Sequence, residues 1–559
     1  MHCRIVRLTS HTAAVAAACA LLAFAVPRAP AAQSAAPPGP KLAVIIVVDQ
    51  MRADYVDRFA HDWTRGLKRF VADGATFRRA AYPYLETWTC AGHATIATGV
   101  LPNRHGIIQN TWWDRDAQRQ MTCTEDPRVS DIGYGVPVVG GDSAHRLLVP
   151  TFADQLRTGR GARVAAVALK DRSAIMLAGH GGDAVTWASD TVDGWMTSPV
   201  YSTAPLPAVE RFIAANRMEA DFGRTWTRLL PASRYTGPDD GVGEAPPEGW
   251  TRKFPHELKG TSQKPDATFF AQWERSPFAD ALVGRFAASL VESLKLGQHD
   301  TTDVLAVSFS SPDLVGHAFG PQSHELQDMY AQLDRTIGDL LDRIDALVGH
   351  DAWVAALTAD HGVRPIPEQL VARHQDAGRI DSATIVTAIE QRLKKALGEG
   401  PHVAIAIAND IYFERGVYDK IQASPKLLAS VVDAVAGVPG VLKVFRSEEV
   451  RGGGSARDPL LRAAALSYFP GRSGDLIVIS KPEWQFNPLG TTHGSATEHD
   501  QHVPLMFLGR GVKAGRFDQP ATPADLAPTL AALCGSTMTG AEGHALTAAI
   551  QEAPRRSHQ

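Results

Sequence analysis

Cysteine is scarce in this chain, with five residues in 559, and two of them, Cys3 and Cys19, fall near the N-terminus. The other three, Cys90, Cys123 and Cys534, cannot all pair with one another, and their spacing matches no cysteine-based zinc motif. One disulfide involving Cys123 and three buried or free thiols are both compatible with that number. Excess charge is also missing. The net charge of −4 leaves no basic footprint for nucleic acid or an acidic membrane, although a basic pocket can hide inside a neutral total. Beyond the N-terminus no apolar run approaches the ~20 residues of a spanning helix, so no stable membrane span is expected in the mature chain. No internal repeat is visible.

The one long apolar stretch, 13–26, follows Arg4 and Arg7 and is followed by Ala29, Ala31 and Ala32. That order describes a secretory signal peptide over 1–32, cleaved near Ala31 or Ala32. A flexible Pro/Ala leader over 33–40 comes next, and the expected location is periplasmic or secreted. Cys19 sits in AAAC, which lacks the upstream Leu of a lipidation site.

What the chain does have is a set of Asp and His residues at the ends of apolar runs. Asp49 closes KLAVIIVVD, Asp313 and His317 follow DVLAVSFSSP, Asp360 and His361 close WVAALTADHG, and His493 lies in GTTHGS. Carboxylates mixed with imidazoles suit a pair of borderline ions such as Zn2+. Apolar runs ending in polar residues are how an open α/β sheet delivers such ligands to one edge. Asp313 and His317 are four apart and share one face of a helical turn. Gly362 lets the chain bend after Asp360 and His361. Asp49 also suits an N-cap for a helix through Tyr55 and Phe59, and His499 and His502 compete with His493.

The runs 41–49, 303–309 and 353–358 read as buried parallel strands. Between the last two, Leu326, Met329, Tyr330, Leu333, Ile337, Leu340, Leu341, Ile344, Leu347 and Val348 recur at helical spacing after Ser323. This strand–helix–strand order is a βαβ unit. The expected fold is therefore α/β, with a mostly parallel central sheet flanked by helices. Residues 190–280 lack a sustained period and read as an inserted cap. Residues 401–475 hold a second insertion, with IAIANDIYF as one strand, a helix over 426–436 and GGGSARD as a loop. A helix over 522–533 starts at Thr522 or Asp525. The catalytic domain spans 41–550, with a tail at 551–559.

A nucleophile is offered by TWTCAGHATIATG, 87–99. A hydroxyl at the opening of a helix faces backbone N–H groups that favour an anion, and a metal would lower its pKa. Thr87, Thr89, Thr95 and Thr98 compete; spacing favours Thr89 without excluding the others.

The ordered series VVDQMRADY, ETWTCAGHATIATG, HGIIQNTWW, LKDR, SSPDLVGH, TADHG, THGS and HVPLMF resembles the alkaline phosphatase superfamily. The resemblance is to its threonine-nucleophile, PafA-type branch in the nucleotide pyrophosphatase/phosphodiesterase-like group. It implies an alkaline-phosphatase-like fold with cap insertions and two Zn2+. Asp313, His317 and His493 would hold one metal; Asp49, Asp360, His361 and the nucleophile Thr89 would hold the other. Asn110, Lys170 and Arg172 would bind the phosphoryl oxygens. Lys170 with Arg172 resembles the monoesterase branch, because a monoester dianion profits from a fork and a point charge. The sulfatase motif is absent: Thr89 stands in its first place and His93 where its Arg belongs. The expected activity is hydrolysis of small-molecule phosphate monoesters through a phosphothreonine, by a monomer. A phosphodiesterase or nucleotide pyrophosphatase using the same site, and a silent metal- or phosphate-binding homologue, are the alternatives.

Overall fold

The computed structural model describes residues 39–189 and 192–551. The expected signal peptide, most of the leader and the tail from 552 onward lie outside the described residues.

In Leu42–Val48, seven successive apolar residues are all buried, as a strand covered on both faces requires. Leu42, Val44, Ile46 and Val48 enter one hydrophobic cluster, and Ala43, Ile45 and Val47 enter another. Each buried Val or Ile contributes about 1.5–3 kcal/mol, so the strand is held from both sides. It pairs in parallel with Asp303–Phe309 on one side and Trp353–Thr358 on the other. The expected strand–helix–strand unit therefore crosses over this central strand instead of joining neighbours.

Among the described residues the main sheet has ten strands. Their order is Gly515–Ala521, Ala75–Ala80, Leu505–Gly509, Trp353–Thr358, Leu42–Val48, Asp303–Phe309, Val164–Ala168, Ala184–Ala188, Trp195–Thr197 and Ile132–Tyr134. The central five are parallel, and antiparallel pairings appear toward both edges. Val47 lies opposite both Ser308 and Thr358, and Ala168 lies opposite Ser308. Four carboxyl ends are thus level, and the segments carrying Asp49, Asp313, Asp360 and Lys170 leave from the same edge.

Helices cover both faces. The amphipathic His324–Val348 is capped by the Ser323 hydroxyl, which accepts from Leu326 N–H, and it buries the expected apolar stripe as far as Ile344, with Leu347 and Val348 partly buried. Pro277–Ser293 packs beside it. On the other face lie Thr89–Thr98, Phe152–Arg160, Asp171–Ala178 and Leu526–Leu533. A capping box between Thr522 and Asp525 precedes the last of these. Asp49 caps nothing: Asp54–Phe59 has no side-chain cap.

The two insertions differ from their sequence-based outlines. Within 190–280, Trp195–Thr197 belongs to the main sheet, and Trp226, Trp250 and Trp273 join the main core. The aperiodic segment is therefore anchored by aromatic burial. The second insertion is larger than 401–475. It is a four-stranded antiparallel sheet, Val403–Ile407, Asp410–Phe413, Leu476–Ser480 and Val441–Arg446, sharing a core with helices Ser382–Leu397 and Pro425–Ala436. IAIANDIYF is two strands, because the chain reverses at Ala408–Asn409, where Ala408 has φ 48°. The GGGSARD loop contains a single 3-10 turn, Gly453–Ser455.

Candidate metal centre and active site

Two groups of donors converge at the carboxyl edge. One is Asp313, His317 and His493; the other is Asp49, Asp360 and His361. Within each group the ligand atoms lie within 4.8 Å of one another. Asp313 and His317 sit one turn apart on Ser311–Phe319, with His317 Nε2 3.1 Å from Asp313 Oδ1. His493 Nε2 is 3.8 Å from the same oxygen, whereas His499 and His502 belong to neither group. In the second group His361 Nε2 lies 3.5 Å from Asp49 Oδ1 and 3.4 Å from Asp360 Oδ2. The groups touch: the rings of His361 and His493 stack with centroids 3.5 Å apart.

The three imidazoles are oriented alike. Nδ1 of His317 faces Thr491 O at 2.7 Å, that of His361 faces Gly362 O at 3.0 Å, and that of His493 faces Thr87 O at 2.8 Å. A carbonyl only accepts, so each Nδ1 carries a proton, and in a neutral ring Nε2 is left with a lone pair for a metal. At His317 burial works against the charged form, but Asp313 outweighs it and raises the pKa. Burial pushes the pKa of His493 well down, helped by His361 and His317, which keeps the ring neutral. Burial also dominates a lowering at His361, against the pull of Asp360. Asp49 is pushed well above the usual carboxylate range by burial and by the charges of Asp313 and Asp360. Asp49 Oδ1 and Asp360 Oδ2 are buried with no hydrogen-bond partner. Lone pairs facing lone pairs at such distances, with orphaned carboxylate oxygens, are the donor set of metal ions, so the residues fit the metals the motifs imply.

Thr89 opens the fully buried helix Thr89–Thr98, and its Oγ1 lies 3.4 Å from His361 Nε2. Of its rivals, Thr87 exchanges hydrogen bonds with Ser495, Thr95 contacts Tyr84 and His105, and Thr98 donates to Ala94 O. The helix approaches the metal edge through Gly92: a Cβ there would sit 2.2 Å from Asp360 O. Gly362 likewise serves close approach, since a Cβ would meet His499 O at 2.0 Å. Cys90 N–H donates to Asn110 Oδ1 at 2.8 Å, and a Cys90–Cys123 disulfide ties the helix to the hairpin after Asn110; Cys534 is free and buried.

Lys170 precedes helix Asp171–Ala178 and donates to Asp49 Oδ2 and to Asp313 Oδ2, both at 2.6 Å, bridging the two groups. Burial works against its charge, but Asp313 and Asp49 outweigh it and raise the pKa. Arg172 Nη1 reaches Asp171 Oδ1 at 3.3 Å, and Thr124 Oγ1 donates to Asp171 Oδ2.

Several residues escaped sequence reasoning. Gln50, with φ 66°, donates its N–H to Asp360 Oδ1 and its amide to Asp313 Oδ1 at 2.6 Å, spanning both groups. His93 places Nδ1 3.3 Å from Asp360 Oδ2 and Nε2 against Ser308. Buried Arg364 donates to His493 O, and its own carbonyl accepts from Thr491 Oγ1. Position inside VVDQM and TCAGH was the only available hint for the first two. Trp112 and Trp195 are buried in the two hydrophobic cores.

A cavity of about 890 Å³ opens onto His317, His493 and Asn110, with walls from both insertions. No helix among the described residues is long and apolar enough to cross a membrane.

The family profile described as type I phosphodiesterase / nucleotide pyrophosphatase matches residues 43–495. The chain is 33% identical over 525 residues to alkaline phosphatase PafA of Elizabethkingia meningoseptica, covering 92% of this chain and 95% of that one. It is 32% identical over 508 residues to alkaline phosphatase PhoV of Synechococcus elongatus, covering 88% and 90%. The crystal structure of wild-type PafA superposes with a TM-score of 0.83 at 30% identity, over 92% of this chain and all of that one. Murine ectonucleotide pyrophosphatase/phosphodiesterase 5 shares the fold, with a TM-score of 0.52 at 13% identity over 90% of this chain and 97% of that one. With its donor groups on the carboxyl edge of a mostly parallel sheet, the chain belongs to the type I phosphodiesterase/nucleotide pyrophosphatase family of the alkaline phosphatase superfamily.

Proposed function

We propose that this chain is an alkaline phosphatase, a phosphoric monoester hydrolase acting through a phosphothreonine at Thr89. The observation that carries the reading is the Thr89 hydroxyl at a buried helix start, beside His361 of one donor group. Thr89 Oγ, having lost its proton, attacks phosphorus in line; the P–O ester bond breaks and the departing oxygen takes up a proton as the alcohol. Water then attacks the phosphothreonine, releasing inorganic phosphate and returning a proton to Thr89 Oγ. Two Zn2+, one held by Asp313, His317 and His493 and the other by Asp49, Asp360 and His361, would lower the hydroxyl pKa and stabilise charge on the entering and leaving oxygens. Asn110 engages Cys90 N–H through Oδ1, which leaves its amide NH2 for a phosphoryl oxygen. Lys170 and Arg172 add cations for a dianion, and phosphoryl transfer needs chiefly such positioning and charge stabilisation. The Arg4/Arg7 leader and the Cys90–Cys123 disulfide support a periplasmic or secreted location.

The relatives named alkaline phosphatase favour monoesters over the diesterase alternative. The test compares an aryl phosphate with its methyl diester, using the zinc-loaded protein and Thr89→Ala. Monoester turnover should dominate and Thr89→Ala should lose nearly all of it while melting normally. Diester preference, or full activity in Thr89→Ala, would reject the assignment.

A further inference from the structure

We propose that the cavity between the two insertions is a leaving-group pocket that favours phosphate monoesters of bulky apolar alcohols over those of small ones. This rests on the reading that monoesters are hydrolysed at Thr89.

The cavity meets the donor groups at His317 and His493, so an ester held by Thr89 can project its organic group into it. Its volume of about 890 Å³ greatly exceeds what a phosphoryl group needs and lies in the range of pockets that enclose whole small molecules. Trp88, Leu314, Ile407, Phe486 and Leu489 supply apolar wall. Trp88 is fixed by an indole N–H bond to Glu86 at 2.7 Å and by edge contact with His493, which sets an aromatic surface next to the reacting centre. Leu489 is 68% exposed, a large apolar side chain left in solvent at the wall of a cavity.

The charges in the wall argue against polyanionic leaving groups. Arg364 is buried, and it is spent on Trp484 O at 2.6 Å and on Asp500. Arg275 donates to Ala271 O, and the carboxylate-bearing Glu248 lines the same cavity. No set of cations like that on Lys170 and Arg172 is repeated here. Segments 245–275, 407–409 and 486–489 supply the outer wall, and Trp88 and Leu314 supply the wall beside the donor groups, so residues of both kinds would set this preference.

The experiment uses benzyl and ethyl phosphate, which release primary alcohols of similar acidity, so the ratio reports leaving-group binding. The wild-type zinc-loaded protein should show a benzyl/ethyl ratio in kcat/KM of about tenfold or more, the scale at which apolar pockets discriminate. A Leu489→Ser, Phe486→Ala double variant should bring that ratio toward one while ethyl phosphate turnover stays within about twofold. A wild-type ratio near one overturns the pocket whether or not the variant folds. Equal loss on both substrates in the variant also overturns it. Failure to hydrolyse either ester would instead reject the phosphatase reading on which the pocket rests.

Discussion

Gly92→Ala puts the contact between the nucleophile helix and the metal edge under direct test. The new methyl would lie 2.2 Å from the carbonyl oxygen of Asp360 and 2.7 Å from its Cβ. One obstacle is main chain and the other the first side-chain carbon of a fully buried residue, so neither is the tip of a flexible side chain. Relief requires the helix and the Asp360 segment to separate by about 1 Å, and overpacking of this kind costs about 1–3 kcal/mol. Thr89 lies one turn away on the same helix, so the displacement carries its hydroxyl away from His361. A misplacement of about 1 Å at a reacting centre costs roughly a hundredfold in rate. Gly159→Ala is the control: Gly159 lies in Phe152–Arg160, and nothing stands within 4 Å of its added Cβ. That change should stabilise by about 0.4–1 kcal/mol and leave turnover alone. The assay is kcat/KM on an aryl phosphate, with bound zinc and melting temperature measured on each protein. Wild-type turnover and melting in Gly92→Ala would show that the close approach does not position Thr89.

Replacing Lys170 and Arg172 with Ala should lower monoester kcat/KM by about a hundredfold or more, the scale of a lost oxyanion donor, and methyl diester activity much less; equal losses would remove their proposed role. Reducing Cys90–Cys123, or replacing both with Ser, opens a cross-link spanning 33 residues, whose loop entropy is worth about 3–4 kcal/mol. Melting should fall, and turnover with it, because Cys90 adjoins Thr89 and the N–H of Cys123 donates to Asn110 O; an unchanged thermal scan and rate would contradict this. His105 is buried, accepts Ile107 N–H at Nδ1 and contacts Thr95, and burial with the charge of Arg472 lowers its pKa to about 3. Below about pH 6.5 the unfolded chain takes up a proton that the folded one refuses, so stability falls as pH drops toward the folded pKa. By pH 5 that amounts to about 2 kcal/mol. His105→Asn should show a correspondingly smaller loss between pH 7 and pH 5 in denaturant titrations, and parallel curves would refute the assignment.

The sequence by itself determined the strands that run ahead of Asp49, Asp313 and Asp360, the long helix after Ser323, and the grouping of Asp313 with His317. Each is a local matter: continuous apolar runs, a 3.6-residue stripe, a four-residue interval. The resemblance carried by the ordered motifs added Thr89, Asn110, Arg172 and His493 as expected site residues, and the fold brings His493 beside His317 and His361. Tertiary structure alone decided the rest. Three carbonyls select the imidazole tautomers, and those of Thr491 and Thr87 lie 174 and 406 residues from the rings they face. Gln50 joins two ligands 47 residues apart in sequence; its own local pattern carries no sign of that. The pairing of Cys90 with Cys123, the approach at Gly92 and the turn that divides IAIANDIYF depend on which surfaces meet. Periodicity records what a residue needs from its own element; which distant carbonyl, carboxylate or helix supplies it is settled only when the chain packs.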